Sequence, residues 1–440
     1  MPEHPDRDLL ERFSRGAISL SQAQWIEEHL RSGCPLCQRR VDDLLLQLHD
    51  PEEQVWSRLL VKLEGRLELI RQERALAPDL VEELLAIPPE ERGAQIRGGH
   101  FANAGVCELL IEQSFASGFR DPAGARRLAE LAVKVADALD PVRYGLSVVQ
   151  DFRARAWAYL GNARRLGSDL RGAEEAISLA EYFSEEGSAD PLDEARILDL
   201  KASLLGDQGR LEEAAALLDV VIEIYEDIRD LHRQGRALIS KGLFLAYADQ
   251  PEQGLGLITR GLGLIDPEQE PRLALMANHN IAWCLNDCGR PGEALLHLEG
   301  VRHLYGAFSD RWTCLRLVWL EARIAAGLGR HEEAERKLRE LRDAFVEQRL
   351  GYDATFVTLD LAALYLQQGR AAEVRRLAAE ALPVLLSQDI HREAMAALIA
   401  FQQATEMEQA TPGMIHQVAV YLYRARNNPE LRFEWVDFTR

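Results

Sequence analysis

Gly209-Arg210-Leu211-Glu212-Glu213-Ala214 returns as Gly289-Arg290-Pro291-Gly292-Glu293-Ala294, Gly329-Arg330-His331-Glu332-Glu333-Ala334 and Gly369-Arg370-Ala371-Ala372-Glu373-Val374. Looser copies run from Ser168 to Ala173 and from Asp249 to Gly254. The small residues closing the six copies stand at 173, 214, 254, 294, 334 and 374, a step of 41 and then four of 40. A fixed step of this size marks a stack of supersecondary units. Each copy reads as a helix end with Gly in the left-handed cap position, a short turn, and a Glu-rich first turn of the next helix. There the carboxylates meet the positive end of the helix dipole.

The totals agree with a helical array. Hydrophobic residues make up 47% of the 440 positions, enough for a continuous core, and aromatics only 7%. A formal charge of -20 gives no long-range attraction for phosphate, so no nucleic-acid partner is expected. Six Cys are too few and scattered for a disulfide scaffold, which fits a reducing cytoplasm. The polar N-terminus has no apolar signal-peptide core, and no run of about 18 apolar residues follows. The expectation is a cytoplasmic protein without a membrane partner.

Small or apolar residues recur on both helices of each unit: Leu160, Gly161, Ala173, Ile177 and Ala180, then Ala202, Leu205, Ala214, Leu218 and Val221. They let two antiparallel helices approach closely, and each pair stacks on the next. The pattern of Leu-Gly, then Gly, then Ala resembles the tetratricopeptide repeat over about 230 residues, with 40 residues per unit where about 34 are usual. The resemblance implies an all-α, right-handed α-solenoid of antiparallel helix pairs. It also implies an inner wall lined by the first helix of each pair. One lining position would hold Arg155, Arg196, Arg236, Met276, Arg316 and Phe356; the next turn, Ala158, Asp199, Ile239, His279, Trp319 and Leu359. The third would hold Asn162, Ser203, Leu243, Trp283, Arg323 and Ala363. Asn162 matches the family's peptide-clamping Asn, although its usual Lys companions are absent. Two readings of the Arg ladder stand side by side. Guanidinium forks with Trp283 and Trp319 as anchors would take an acidic or C-terminal peptide. Alternatively the arginines pair with acids on neighbouring helices and only solvate the inner face.

Residues 1–50 hold a second cluster. His4, His29, Cys34 and Cys37 are two His and two Cys, a set that closes a tetrahedral Zn2+ site. With Asp8-Leu9-Leu10-Glu11-Arg12-Phe13, Gly16 and Leu20-Ser21, the stretch resembles the zinc-containing anti-sigma factor domain. That family has three residues between the second His and first Cys; here four intervene, Gly33 among them. The resemblance implies a structural zinc and a sigma factor partner. Packing of a metal-free Cys pair and a redox switch at Cys34 and Cys37 are the alternatives.

Residues 51–100 read as amphipathic linker helices broken at Pro78 and at Pro88-Pro89, with Gly98-Gly99 as a joint. The array would occupy 101–382, its first unit degenerate, and 383–440 would supply capping helices. Cys107, Cys284, Cys288 and Cys314 read as small core residues. Gly254-Leu255-Gly256 and Gly261-Leu262-Gly263 lack a preceding strand and a Gly-Lys-Ser/Thr, so they read as helix crossings and not as phosphate loops. No nucleophile elbow or metalloprotease helix is present. The sequence thus predicts a non-enzymatic regulatory adaptor for a protein or peptide, anti-sigma-like at its N-terminus. The alternative is a scaffold for multiprotein assembly with no sigma factor role.

Overall fold

The computed structural model describes residues 4–14, 18–31, 34, 36–37, 40, 54–118, 120–308, 310–386, 392–406, 409–428 and 431–433. The expectations for Gly16 and Gly33 lie outside these residues. The described residues are all-helical, and the helices pack pairwise as a helical-repeat solenoid. None of these helices is long and apolar enough to cross a membrane.

The repeated turn has a single backbone solution. Ser168, Gly209, Asp249, Gly289, Gly329 and Gly369 all carry a positive φ, from 63° to 73°. The carbonyls of Arg164, Leu205, Leu245, Leu285, Ala325 and Tyr365 each accept the backbone N–H five residues on, at 2.8–2.9 Å. This is the Schellman closure, which satisfies a carbonyl the helix end would leave orphaned. Gly adopts the conformation freely, while Ser168 and Asp249 hold it with a side chain. The following Arg adds a second lock. Arg210, Arg290 and Arg370 each donate to the Glu three residues on, at 2.6–3.1 Å, across the corner into the next helix.

The chain divides into two compact units, residues 1–204 with 223–230, and residues 205–222 with 231–440. The first begins with α1 (Arg7–Ser14) and α2 (Leu20–Arg31), which close over Leu10, Phe13, Ile18, Ala23 and Ile26. Next come α3 (Gln54–Ala86), α4 (Pro89–Arg97), α5 (Ala104–Ser117), α6 (Pro122–Ala138), the short α7 (Pro141–Tyr144), α8 (Leu146–Leu166) and α9 (Leu170–Glu185). Pro78 does not break the chain as expected: α3 runs through it. Pro78 is on the exposed side of the helix, while Ile70, Ala77, Val81 and Leu84 anchor that helix in the core. Buried Glu73 bolts α3 in place by accepting from Ala104 N at 2.8 Å, Tyr144 OH at 2.7 Å and Arg143 at 2.6 Å.

Helices α10 (Pro191–Asp207) and α11 (Leu211–Asp227) follow, and the unit boundary passes through both. The second unit continues with α12 (Leu231–Tyr247), α13 (Pro251–Leu262), α14 (Pro271–Asp287), α15 (Pro291–Tyr305), α16 (Arg311–Gly327) and α17 (His331–Glu347). Then come α18 (Gly351–Gln367), α19 (Ala371–Leu386), α20 (Arg392–Glu406) and α21 (Pro412–Ala425). The crossing of α12 and α13 is made by glycines. A Cβ at Gly254 would lie 2.6 Å from Gly242 O, and one at Gly261 would lie 2.5 Å from Gly235 O. Gly256 faces open space and Gly263 caps α13, so only the first Gly of each expected pair serves the crossing.

Candidate functional site

A cavity of about 530 Å³ lies in the second unit, on the inner faces of α14, α16 and α18. From these helices it takes every predicted lining residue except Met276: His279, Trp283, Arg316, Trp319, Arg323, Phe356, Leu359 and Ala363. The spacing explains the convergence. Residues three, four and seven apart share one helix face, and the 40-residue step carries that face from helix to helix. Helix α21, in the stretch expected to supply capping helices, gives the cavity a further wall through Ile415, His416, Ala419, Val420 and Tyr423.

The aromatic floor is tightly knit. Trp283 and Trp319 meet edge to face with centroids 5.9 Å apart, and Trp319 lies 6.5 Å from Phe356. Trp319 donates its indole N–H to Asp360 at 2.7 Å. Arg323 covers the Trp283 ring at 4.1 Å, donates to Asp287 at 2.9 Å and approaches Asp360 at 4.0 Å. Burial pushes the Asp360 carboxyl up, against the pull of Arg323. His279 is 4% exposed, with Nδ1 2.9 Å from the Tyr305 hydroxyl and Nε2 without a partner. Burial and then Arg316 hold its pKa well below the usual range, so the ring is neutral.

The C-terminal wall is held by polar ties. Tyr423 stacks on Tyr247, His416 pairs with Asp249 at 2.8 Å, and Arg426 with Asp353 at 3.1 Å. Arg424 donates to Glu212. The chain order gave no hint of these partners, because each lies many residues away along the chain.

The remaining predicted lining residues lie elsewhere. In the first unit Arg155 sits between Glu108, at 3.6 Å, and Asp193, at 3.5 Å, above the Phe152 ring. Arg196 donates to the same Asp193 at 3.1 Å. Asn162 is buried, its side-chain oxygen accepting from Arg165 at 2.9 Å. In the second unit Arg236 pairs with Glu270 and does not line the cavity. These arginines are neutralised by acids on their own or neighbouring helices.

His4, His29, Cys34 and Cys37 come together in the first unit, their ligand atoms all within 4.8 Å of one another. His4 Nδ1 lies 3.3 Å from His29 Nε2, 3.4 Å from Cys34 Sγ and 3.6 Å from Cys37 Sγ. A tetrahedral ion with Zn–N near 2.0 Å and Zn–S near 2.3 Å has edges of about 3.3 Å (N to N) and about 3.6 Å (N to S). The residues therefore fit a zinc ion. Arg12 donates to Ser188 O at 3.0 Å and Ser21 to Asp190 at 2.5 Å, which docks α1 and α2 on the turn after α9. Cys107 and Cys284 are buried as expected, and burial pushes both thiols up to about 12. Cys288 is half-buried. Cys314, expected in the core, is exposed because Thr313 takes the inward position in that first turn of α16.

No protein-family model matches the chain, and no curated protein matches it in sequence. Solved structures do match in fold. One is a Rap protein complexed with Competence and Sporulation Factor, at TM-score 0.53 and 12% identity, over 73% of this chain and 87% of that one. Another is aspartyl phosphate phosphatase F from Bacillus subtilis, at TM-score 0.49 and 15% identity, over 89% of this chain and 96% of that one. At such identities the likeness is one of fold: a helical-repeat array.

Proposed function

We propose that the chain is a non-enzymatic, cytoplasmic regulatory adaptor that binds a short peptide in the cavity between α14, α16, α18 and α21. The observation carrying this reading is the lining itself. Aromatic faces with a few fixed polar groups are the chemistry of a binding pocket, and the volume falls within the range of about 300–1,000 Å³ usual for ligand sites. The fold neighbour in complex with Competence and Sporulation Factor supports it by likeness of architecture. The test is co-purification of the full chain with its partners, repeated with Trp283→Ala and Trp319→Ala. Loss of a bound peptide or protein is expected. Retention of every partner by both variants would remove the cavity from the interaction.

A second reading concerns the N-terminal module. The tetrahedral edge lengths support a structural Zn2+ on His4, His29, Cys34 and Cys37, and the resemblance to the anti-sigma factor domain supports a sigma factor as partner of that module. Bound zinc would fix α2 to the Cys34–Cys37 turn, presenting α1 and α2 as a rigid surface. Copurification of a sigma factor with the full chain, lost in Cys34→Ser, is the expected result. Its absence leaves the scaffold reading, in which the module has no sigma factor role.

A further inference from the structure

We infer that Arg316 is the anion-reading group of the cavity and that its ligand offers a single carboxylate beside an aromatic or branched apolar side chain. This rests on the peptide-binding reading above and deepens it.

The inference comes from which charges are already committed. Arg323 is held by Asp287 and Asp360, and Arg426 by Asp353. Of the predicted lining arginines, Arg155, Arg196 and Arg236 are likewise paired with acids. Arg316 lines the cavity, is half-buried, and has no carboxylate within 4.0 Å among the described residues. A guanidinium keeps its charge at any physiological pH and presents a fork that matches a carboxylate.

His279 points to the same chemistry independently. It lines the same cavity, is 4% exposed, and leaves Nε2 unpartnered while Tyr305 occupies Nδ1. When Tyr305 donates to Nδ1, the hydrogen of the neutral ring sits on Nε2, a donor for an incoming oxygen. Burial and Arg316 keep that ring neutral, and Arg323 and Arg426 are paired with acids, so the site's unpaired positive charge is that of Arg316. Asp249, Asp287, Asp353 and Asp360 surround the cavity, which disfavours a phosphate dianion and suits a monoanion. Trp283, Trp312 and Trp319 supply the faces for the neighbouring side chain.

The test uses the full chain and two random heptapeptide libraries. One displays free carboxyl termini; the other has its carboxyl termini fused to the carrier. Recovery from the first alone assigns the terminal carboxylate, and enrichment of Asp or Glu beside an aromatic in both assigns a side chain; either supports the inference. The best peptide is then synthesised with its carboxylate intact and as the matching amide. The acid is expected to bind about ten- to a hundredfold more tightly than the amide to the native chain, and equally to Arg316→Gln. Arg316→Lys should restore part of the preference. Equal binding of acid and amide to the native chain, or an undiminished preference in Arg316→Gln, overturns the inference while leaving peptide binding intact. Recovery of no peptide from either library overturns the peptide reading as well.

Discussion

Tyr423 stacks on Tyr247 with ring centroids 4.0 Å apart and planes tilted by 31°, which ties α21 to the end of α12. Burial and then the neighbouring Tyr247 push the Tyr423 hydroxyl well above its ordinary range, so that ring stays neutral near pH 7. Tyr423→Ala removes the stack and part of the cavity wall together. The expected loss is about 2–4 kcal/mol in the unfolding of the second unit. Chemical denaturation followed by Trp283 and Trp319 fluorescence measures it.

Arg316 and Arg323 stand two helical turns apart on one face, yet their replacements should behave in opposite ways. Arg323→Ala strands Asp287 and Asp360, the latter with burial against it, and should cost about 3 kcal/mol. Arg316→Ala strands no carboxylate and should change stability by less than about 0.5 kcal/mol. Paired urea titrations decide; equal costs would mean that Arg316 also carries a structural charge.

Gly254 and Gly256 make a matched pair on α13. Gly254→Ala forces a methyl against the Gly242 carbonyl and should destabilise by about 1–3 kcal/mol. Gly256→Ala meets nothing and should stabilise by about 0.5–1 kcal/mol through helix propensity. Thermal melts of the two variants should move in opposite directions.

Asp151 is a buried acid beneath the turn on which α1 and α2 dock, accepting from Ser188 N at 2.9 Å. Burial pushes its pKa from 3.8 to about 6. Its folded value is raised, so the native state holds the proton where the unfolded chain has released it. The ionised group therefore costs stability above about pH 6, and the cost fades as pH falls toward 3.8. Asp151→Asn keeps the acceptor and removes the charge. Relative to the native chain it should gain up to about 3 kcal/mol at pH 7.5 and progressively less toward pH 4. A pH-independent difference between the two proteins would rule out the buried charge.

The metal module predicts its own response. Full chain prepared in zinc should retain about one ion per molecule, and Cys34→Ser or Cys37→Ser should release it. Chelation should lower the melting temperature of the native protein and leave that of the Cys variants unchanged. Elemental analysis beside calorimetry tests both.

What the sequence made legible was whatever local chemistry dictates. The left-handed corners are visible as Gly209, Gly289, Gly329 and Gly369, because only a few residues tolerate that backbone. The face bearing His279, Trp283, Trp319 and Arg323 follows from helical spacing and the fixed step. Pairing across helices was not legible. Nothing in a run of arginines says that Arg155 meets Asp193 while Arg316 meets no acid, since that depends on side-chain reach between elements 40 residues apart. Helix α21 escaped for the same reason: its ties run to Glu212, Tyr247, Asp249 and Asp353, far back along the chain. The corner lock between Arg and Glu is written in the repeated motif itself, where each Glu both faces the helix dipole and accepts from the Arg three residues before it.

Each of the six repeated corners closes with a backbone bond between residues five apart, so a nascent chain can set each one as it leaves the ribosome. The cavity cannot be finished that way. Tyr423 is translated 176 residues after Tyr247, roughly 9–35 s later at ordinary elongation rates. From their own synthesis until α21 docks, Trp283, Trp312 and Trp319 stand uncovered on one side. A chaperone that grips exposed aromatic surface would therefore engage this polypeptide late in its synthesis and release it when the last helix docks.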